Sequence, residues 1–177
     1  MAIGVLVMPT EFGQGFQTPQ ITVKAIVRAS TKIRGQIVRF DFENLTTGVN
    51  DNNMDGGTDS GFANVIDPNA TTALAGIFGV VEGPAAGGRA SVLAGAEARV
   101  TMWGVTQANC KATATLVKGD QLVVDVVTPF NSLTTNATTA GVDRKVVAIA
   151  MAGGVITSTT LVSVWFIGGL PFGAIEA

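Results

Sequence analysis

Histidine is absent from the 177 residues, and cysteine occurs once, as Cys110. Without histidine the chain lacks the side chain that most often moves protons near neutral pH and that commonly binds zinc. A single cysteine excludes a disulfide bond within the chain. Catalysis by a pair of carboxylates is still chemically open to this chain. The acidic residues, however, fall mostly in turns, and their spacing does not single out any pair. These absences predict a protein that is not an enzyme and holds no cofactor.

Charge is also scarce, since only 14% of the residues are charged against roughly 25% in an average soluble domain. Hydrophobic residues make up 47%, so a chain of this length buries a sizeable core within one domain. A surface so poor in charge is typical of a protein that partners largely cover. The 22 glycines, with abundant threonine and valine, favour strands and turns over helices.

The few charges are separated by sign along the chain. Every charged residue between positions 20 and 40 is basic, and every one between 41 and 88 is acidic. Such blocks pair within one molecule, pair between neighbours, or form two solvated faces, and the sequence leaves these three arrangements open. We assign four residues of the basic block as candidate contacts to an acidic protein surface: Arg28, Lys32, Arg34 and Arg39. Nucleic acid is not predicted as a partner, because the isoelectric point is about 5.0 and stacking aromatics are missing.

Alternation of apolar and polar residues predicts strands. In 21–28 the residues on the apolar side are Ile21, Val23, Ala25 and Val27. In 36–43 Val38, Phe40 and Phe42 face one way and charged residues the other, which predicts a half-buried strand. Further strands are predicted at 77–81, 89–106, 121–127, 145–151 and 161–167.

About 7–9 short strands without intervening helices predict an all-β fold, a small β-barrel or β-sandwich. A single β domain is expected at 21–168, with a loop insertion at 46–61. The uncharged segment 146–175 has the hydropathy of a membrane span, but a Thr/Ser run and glycine pairs divide it. We therefore interpret it as two buried strands and predict no membrane partner.

Both ends of the chain lack any periodic pattern. Residues 1–20 are predicted to form an extended N-terminal arm, and 169–177 a C-terminal tail. Each end carries apolar side chains without a local core, so we predict that Phe12, Phe16 and Phe172 contact a partner. For the arm, the alternative is that its phenylalanines pack back onto their own domain. Trp103 and Trp165 fall on predicted strands and are expected in the core, but an exposed one becomes the best interface candidate.

One loop resembles part of a calcium site. Residues 51–56 place oxygen ligands at alternate positions before a glycine, as in the first half of a calcium-binding loop. The twelfth position is Phe62 in place of a bidentate glutamate. We therefore interpret the segment as a turn and predict no metal site, with the weak candidate ligands being Asp51, Asn53, Asp55 and Asp59.

Several segments are similar to the small β-rich capsid decoration, or cement, proteins of tailed bacteriophages. They cover about two-thirds of the chain: 33–38, 75–80, 89–104, the 116–122 turn with its Lys-Gly-Asp sequence, 145–153 and 161–167. The chain departs from that family in its greater length, through the arm, the tail and the 46–61 insertion.

The resemblance implies a structural virion protein on the outer surface of the capsid. Its partners would be the major capsid protein and neighbouring copies of itself, a homotrimer being one arrangement, and it would stabilise the shell by bridging capsomers. The family supplies no catalytic residues. The alternatives are another β-rich virion component, such as a tail or head-completion protein, and a carbohydrate- or cation-binding β-module.

Overall fold

A computed structural model describes residues 19–28, 30–41, 63–69, 76–84, 91–111, 113–125, 131–135 and 145–168. These residues form strands and turns without a helix, which confirms the all-β prediction. The described residues contain 13 strands where about 7–9 were expected, because several strands are only two to four residues long. The strands are β1 Ile21–Val27, β2 Lys32–Ile33, β3 Ile37–Phe40, β4 Ala63–Ile66, β5 Phe78–Pro84, β6 Ser91–Val92, β7 Glu97–Cys110, β8 Thr113–Leu116, β9 Gln121–Val124, β10 Leu133–Thr135, β11 Val146–Ala150, β12 Gly154–Ile156 and β13 Thr160–Phe166.

Nine of these strands close into two rings that share β7, while β2 pairs with β6 and β8 with β12 in two separate two-stranded sheets. In the first ring, here called the N-terminal ring, the order is β1-β4-β3-β5-β7, and β7 pairs back to β1. In the second, the C-terminal ring, the order is β7-β10-β9-β11-β13, and β13 pairs back to β7. The 14-residue β7 reaches both rings because its first half pairs with β1 and β5 and its second half with β13. Closure removes the unpaired edges that would otherwise recruit foreign strands.

Each ring encloses a hydrophobic core. The core of the N-terminal ring is small and valine-rich: Ala25, Val27, Val38, Phe40, Val65, Val81, Val92, Ala98 and Val100. The core of the C-terminal ring is larger: Ile37, Phe78, Val80, Ala108, Cys110, Leu116, Leu122, Val124, Leu133, Val147, Ala148, Ala150, Ile156, Val162, Val164 and Phe166. Adjacent residues of β3, Ile37 and Val38, belong to different cores, so this strand lies between them.

The position of β3 corrects the prediction of a half-buried strand at 36–43. All four of its residues are buried, including Arg39. Alternation indicated one solvent-facing side, but that side meets the second core. Residues 42 and 43 lie outside the described part of the chain.

Most other predicted strands are confirmed with shifted ends. The strand predicted at 77–81 is longer than expected, because β5 continues through Gly83 and Pro84 after a register shift between Val81 and Gly83. Strand β10 was not among the predicted strands. The uncharged segment that begins at residue 146 forms β11, β12 and β13 in its described part. Within the described residues, no helix has the length and apolar character needed to cross a membrane.

Candidate functional site

The predicted basic contacts do not form one exposed stripe. Lys32 is buried at 1% exposure, and its Nζ lies 2.7 Å from Asp67 Oδ2 and donates to Ser30 Oγ. Arg39 is 9% exposed, with Nη2 3.6 Å from Asp41 Oδ1. Of the three arrangements that the sequence left open, Lys32 and Arg39 adopt pairing within the molecule.

The other two basic candidates lie nearer the surface. Arg28 is half-buried, and its Nε donates to Asn64 Oδ1 at 3.0 Å. Arg34 is exposed in the turn before β3. Of the four basic candidates, Arg34 is therefore the one that the structure leaves most available to a partner.

The remaining candidates lie outside the described residues and stay predictions. They are Phe12, Phe16, Phe172 and the loop residues Asp51, Asn53, Asp55 and Asp59. Within the described part of the chain, no group of three or more Cys, Asp or Glu side chains is placed to hold a metal ion.

An exposed apolar feature lies on the outside of the C-terminal ring. Along β13 the inward residues Val162, Val164 and Phe166 enter the core, whereas Leu161 and Trp165 point out and are 41% and 42% exposed. Residues directly opposite each other in a ladder share a face. One row across the sheet therefore joins Trp165 to Ile149 and to Val105.

The two tryptophans of the chain meet on this face. Their ring centroids are 5.9 Å apart at an interplanar angle of 82°, an edge-to-face contact. Trp103 is half-buried and lies opposite Ile21 of β1, which is 40% exposed. The expectation that both tryptophans belong to the core is wrong for Trp165, and the exposed ring becomes an interface candidate.

We call this surface the Trp face and define it by the paired outer residues of β1, β7, β9, β11 and β13 and the residue that follows β11. They are Ile21, Trp103, Val105, Gln107, Asn109, Gln121, Ile149, Met151, Leu161, Ser163 and Trp165. None of them is charged. Every polar member is an amide or a hydroxyl, which both donates and accepts hydrogen bonds.

The turn that carries Arg34 lies against this face. Asn109 N donates to Gly35 O at 2.7 Å. A Cβ at Gly35 would meet Leu161 Cδ2 at 2.2 Å, so the glycine lets Leu161 pack directly on the turn backbone. The turn that contains the exposed residue Arg34 therefore adjoins the uncharged surface at Leu161 and Asn109.

A polar cluster at the junction of the rings centres on Glu82 of β5. Its Oε1 accepts hydrogen bonds from Thr101 Oγ1 at 2.7 Å, from Thr106 Oγ1, and from Gln20 Nε2 at 3.4 Å. The cluster is built around a single carboxylate, that of Glu82, whereas acid–base cleavage of glycosides uses a pair of carboxyl groups. The cluster ties the beginning of the described chain to β5 and β7.

The single cysteine, Cys110, lies in a hydrophobic core. It is buried at the end of β7, and burial raises the pKa of its thiol to about 12. Because the thiolate is the nucleophile, the protonated thiol acts as a small apolar core residue at neutral pH.

Sequence reasoning missed the Trp face because both sides of β13 are apolar. Alternation separates faces only where one of them is polar. The signal that was present is the absence of charge across 146–175, which was attributed entirely to burial.

The described residues thus place an uncharged, tryptophan-bearing surface on a closed all-β body. A scan of protein-family models and a search of curated proteins both gave no match to this chain.

Proposed function

We propose that this chain is a structural virion protein that binds the outer surface of a major capsid protein shell and stabilises it by bridging capsomers. The observation that carries the proposal is the Trp face, an exposed apolar surface on a body whose strands close on themselves. Such a surface gains free energy by being covered, at roughly 25 cal/mol per Å² of apolar area.

The properties of the body support a mechanical role in a shell. Two cores share β7, so both rings are connected by continuous backbone hydrogen bonding. Closure of the two rings removes the edges of nine strands, which limits pairing of these strands between free molecules. A coat protein held at high local concentration needs a connected body and few free strand edges, because it must bind its neighbours only through defined surfaces.

The proposed contacts to the shell are the arm, the tail and Arg34. Aromatic anchors on an extended segment reach a second subunit and add avidity to a modest contact of the body. Each copy then needs only a weak interface, because a lattice repeats it many times.

The decisive experiment for the location is mass spectrometry and electron microscopy of purified virions. We expect to find the chain in many copies on the outside of the head. The shells of particles that lack it should break open more readily when they are heated or diluted into low salt. If the protein is found at the tail or the neck, this result would contradict the proposal and support the alternative of a tail or head-completion protein. Absence from virions would overturn it, and calorimetry with calcium and glycans would then test the binding-module alternative.

The proposed contacts are tested in the full chain by replacing Phe12 and Phe16 together with alanine. We expect binding to purified shells to weaken by roughly 10- to 100-fold, because buried aromatic anchors typically contribute more than about 1 kcal/mol each. Val155→Ala is the matched control, since this valine is 73% exposed on β12, which pairs with β8 in a separate two-stranded sheet.

A deletion variant should end at residue 18. Gln20 donates its side-chain amide to Thr101 Oγ1 at 2.8 Å, so a longer deletion would also damage the junction of the rings. Unchanged coating by both the double alanine variant and the 1–18 deletion would contradict the role of the arm.

A further inference from the structure

The described chain begins close to the exposed tryptophan. Its first residue, Pro19, lies against Gly104 of β7, where a Cβ would be 2.6 Å from Pro19 O. The next residue of β7, Val105, is directly opposite Trp165. Residues 1–18, which lie outside the described part of the chain, therefore join the molecule about two strand spacings, roughly 10 Å, from Trp165.

The spacing of the two phenylalanines in the arm matches the spacing of the exposed apolar residues of β13. Phe16 precedes Pro19 by three residues, which span roughly 10 Å when extended, so its ring can reach Trp165. Phe12 lies four residues before Phe16, and an extended segment points such residues to the same side. Leu161 and Trp165 are also four residues apart, a span of roughly 13 Å. With Phe16 on Trp165, Phe12 therefore reaches Leu161.

The direction of the strands agrees with this register. Strands β1 and β13 both pair antiparallel with β7, so they run parallel to each other. A segment that continues the line of β1 backwards from Pro19 therefore passes from Trp165 towards Leu161. It needs only the surface along one strand, so the curvature of the sheet around the ring does not prevent the contact.

Opposite charges meet at the far end of the same register. Glu11 is the only charged side chain among residues 1–20, and it is adjacent to Phe12. The turn that contains the exposed residue Arg34 adjoins Leu161. With Phe12 on Leu161, the Glu11 carboxylate therefore lies near the Arg34 guanidinium. An exposed ion pair adds little affinity, but it favours this register because a shifted arm leaves both charges unpaired.

We propose that, in the free protein, residues 11–16 bind along β13 of the same molecule and cover its exposed apolar side chains. Phe16 contacts Trp165, Phe12 contacts Leu161, and Glu11 pairs with Arg34. Attachment at Pro19 gives the arm an effective concentration on the order of millimolar at this surface. A separate partner in dilute solution does not reach that concentration, so the chain's own arm is the favoured occupant.

This contact goes beyond the proposed function and does not depend on it. In a protein that coats shells, the arm has to leave β13 before its phenylalanines reach a capsid subunit, so the contact in the shell must be the stronger of the two. The free protein then keeps two apolar surfaces against each other until a shell displaces the arm.

The test is quenching of tryptophan fluorescence by acrylamide, a neutral quencher, in the full chain without shells. Trp103→Phe keeps an aromatic ring at that position and leaves Trp165 as the only tryptophan. In this background, deletion of residues 1–18 should raise quenching of Trp165 at least about twofold, because the covering aromatic ring is lost. Phe16→Ala should raise it more than Phe12→Ala. Val155→Ala on β12 is the control and should leave it unchanged.

Exchange of the two charges tests the register. Glu11→Lys and Arg34→Glu should each raise quenching of Trp165, because like charges then meet at the end of the arm. The double variant restores an opposite pair and should return quenching to the level of the unexchanged chain. Glu11→Lys combined with Lys118→Glu is the matched control and should show no recovery, since Lys118 is exposed in the turn between β8 and β9.

Quenching that the deletion leaves unchanged overturns the inference, as does a double charge variant no better protected than the single ones. Protection that is lost on dilution from about 100 µM to about 1 µM comes from the arm of another molecule and also overturns it. A protein that coats shells without protecting Trp165 in its free form overturns the inference and leaves the proposed function standing. Protection of Trp165 in a protein that is missing from virions has the reverse meaning.

Discussion

Gly104 shows at the scale of one residue how tightly the two rings join. It lies in the middle of β7 with φ of 112°, a backbone conformation that side chains disfavour. A Cβ there would lie 2.6 Å from Pro19 O and 2.8 Å from Gln20 Cα. The glycine therefore lets the chain that leads into β1 cross directly over β7, next to the Glu82 cluster.

We predict that Gly104→Ala destabilises the protein far more than Gly119→Ala. Gly119 has a similar φ of 98°, but a Cβ there would have no atom within 4 Å, so its substitution costs only the backbone term of about 1 kcal/mol. Gly104→Ala must in addition displace backbone, which should cost at least about 2 kcal/mol more. Urea denaturation of both variants measures the difference, and equal losses would contradict the close approach.

At the scale of elements, the short strand β2 is anchored through a charge. Lys32 pairs in register with Val92 of β6 and turns its ammonium inward to Asp67, which follows β4. Ser30 Oγ donates to the same carboxylate oxygen at 2.8 Å. Lys32, which was predicted to contact a partner protein, thus holds β2 against the N-terminal ring.

We predict that Asp67→Asn lowers the free energy of unfolding by about 3 kcal/mol, because it leaves the buried ammonium without its counter-charge. Adding Lys32→Met should recover part of that loss, since the uncompensated charge is then removed. Arg34→Met, an exposed basic residue in the next turn, is the control and should change stability by less than about 0.5 kcal/mol. Urea midpoints would contradict this account if the double variant were less stable than Asp67→Asn.

At the scale of the whole molecule, β7 makes the two rings one structural unit. It contributes Ala98 and Val100 to one core and Ala108 and Cys110 to the other. Strands β3 and β5 also place residues in both cores. Neither ring can therefore lose its packing without exposing strands of the other.

We predict that substitutions in either core shift one shared unfolding transition. Val100→Ala and Val164→Ala remove fully buried methyl groups from the N-terminal and C-terminal cores, and each should cost roughly 2 kcal/mol. Circular dichroism follows all strands, whereas tryptophan fluorescence follows Trp165 on the C-terminal ring and Trp103, which pairs with Ile21 where the two rings join. The two signals should coincide for both variants. Separate transitions, with Val100→Ala moving only one, would show that the rings unfold independently.

Local sequence determined the class of fold and many of its strands. Alternation in 21–28 specified β1, the Lys-Gly-Asp turn separated β8 from β9, and the uncharged C-terminal segment resolved into β-strands. These features depend on backbone preferences and side-chain periodicity within a few residues, so they can be read without knowing the fold.

Only the tertiary structure decided which side chains are buried and which are exposed to solvent. Arg39 is buried because β3 lies between two cores, and Lys32 is buried because Asp67, 35 residues away, is brought beside it. Trp165 is exposed because ring closure turns only one of the two apolar sides of β13 inward. Burial is set by what packs against a residue from distant parts of the chain, and periodicity carries no information about that neighbour.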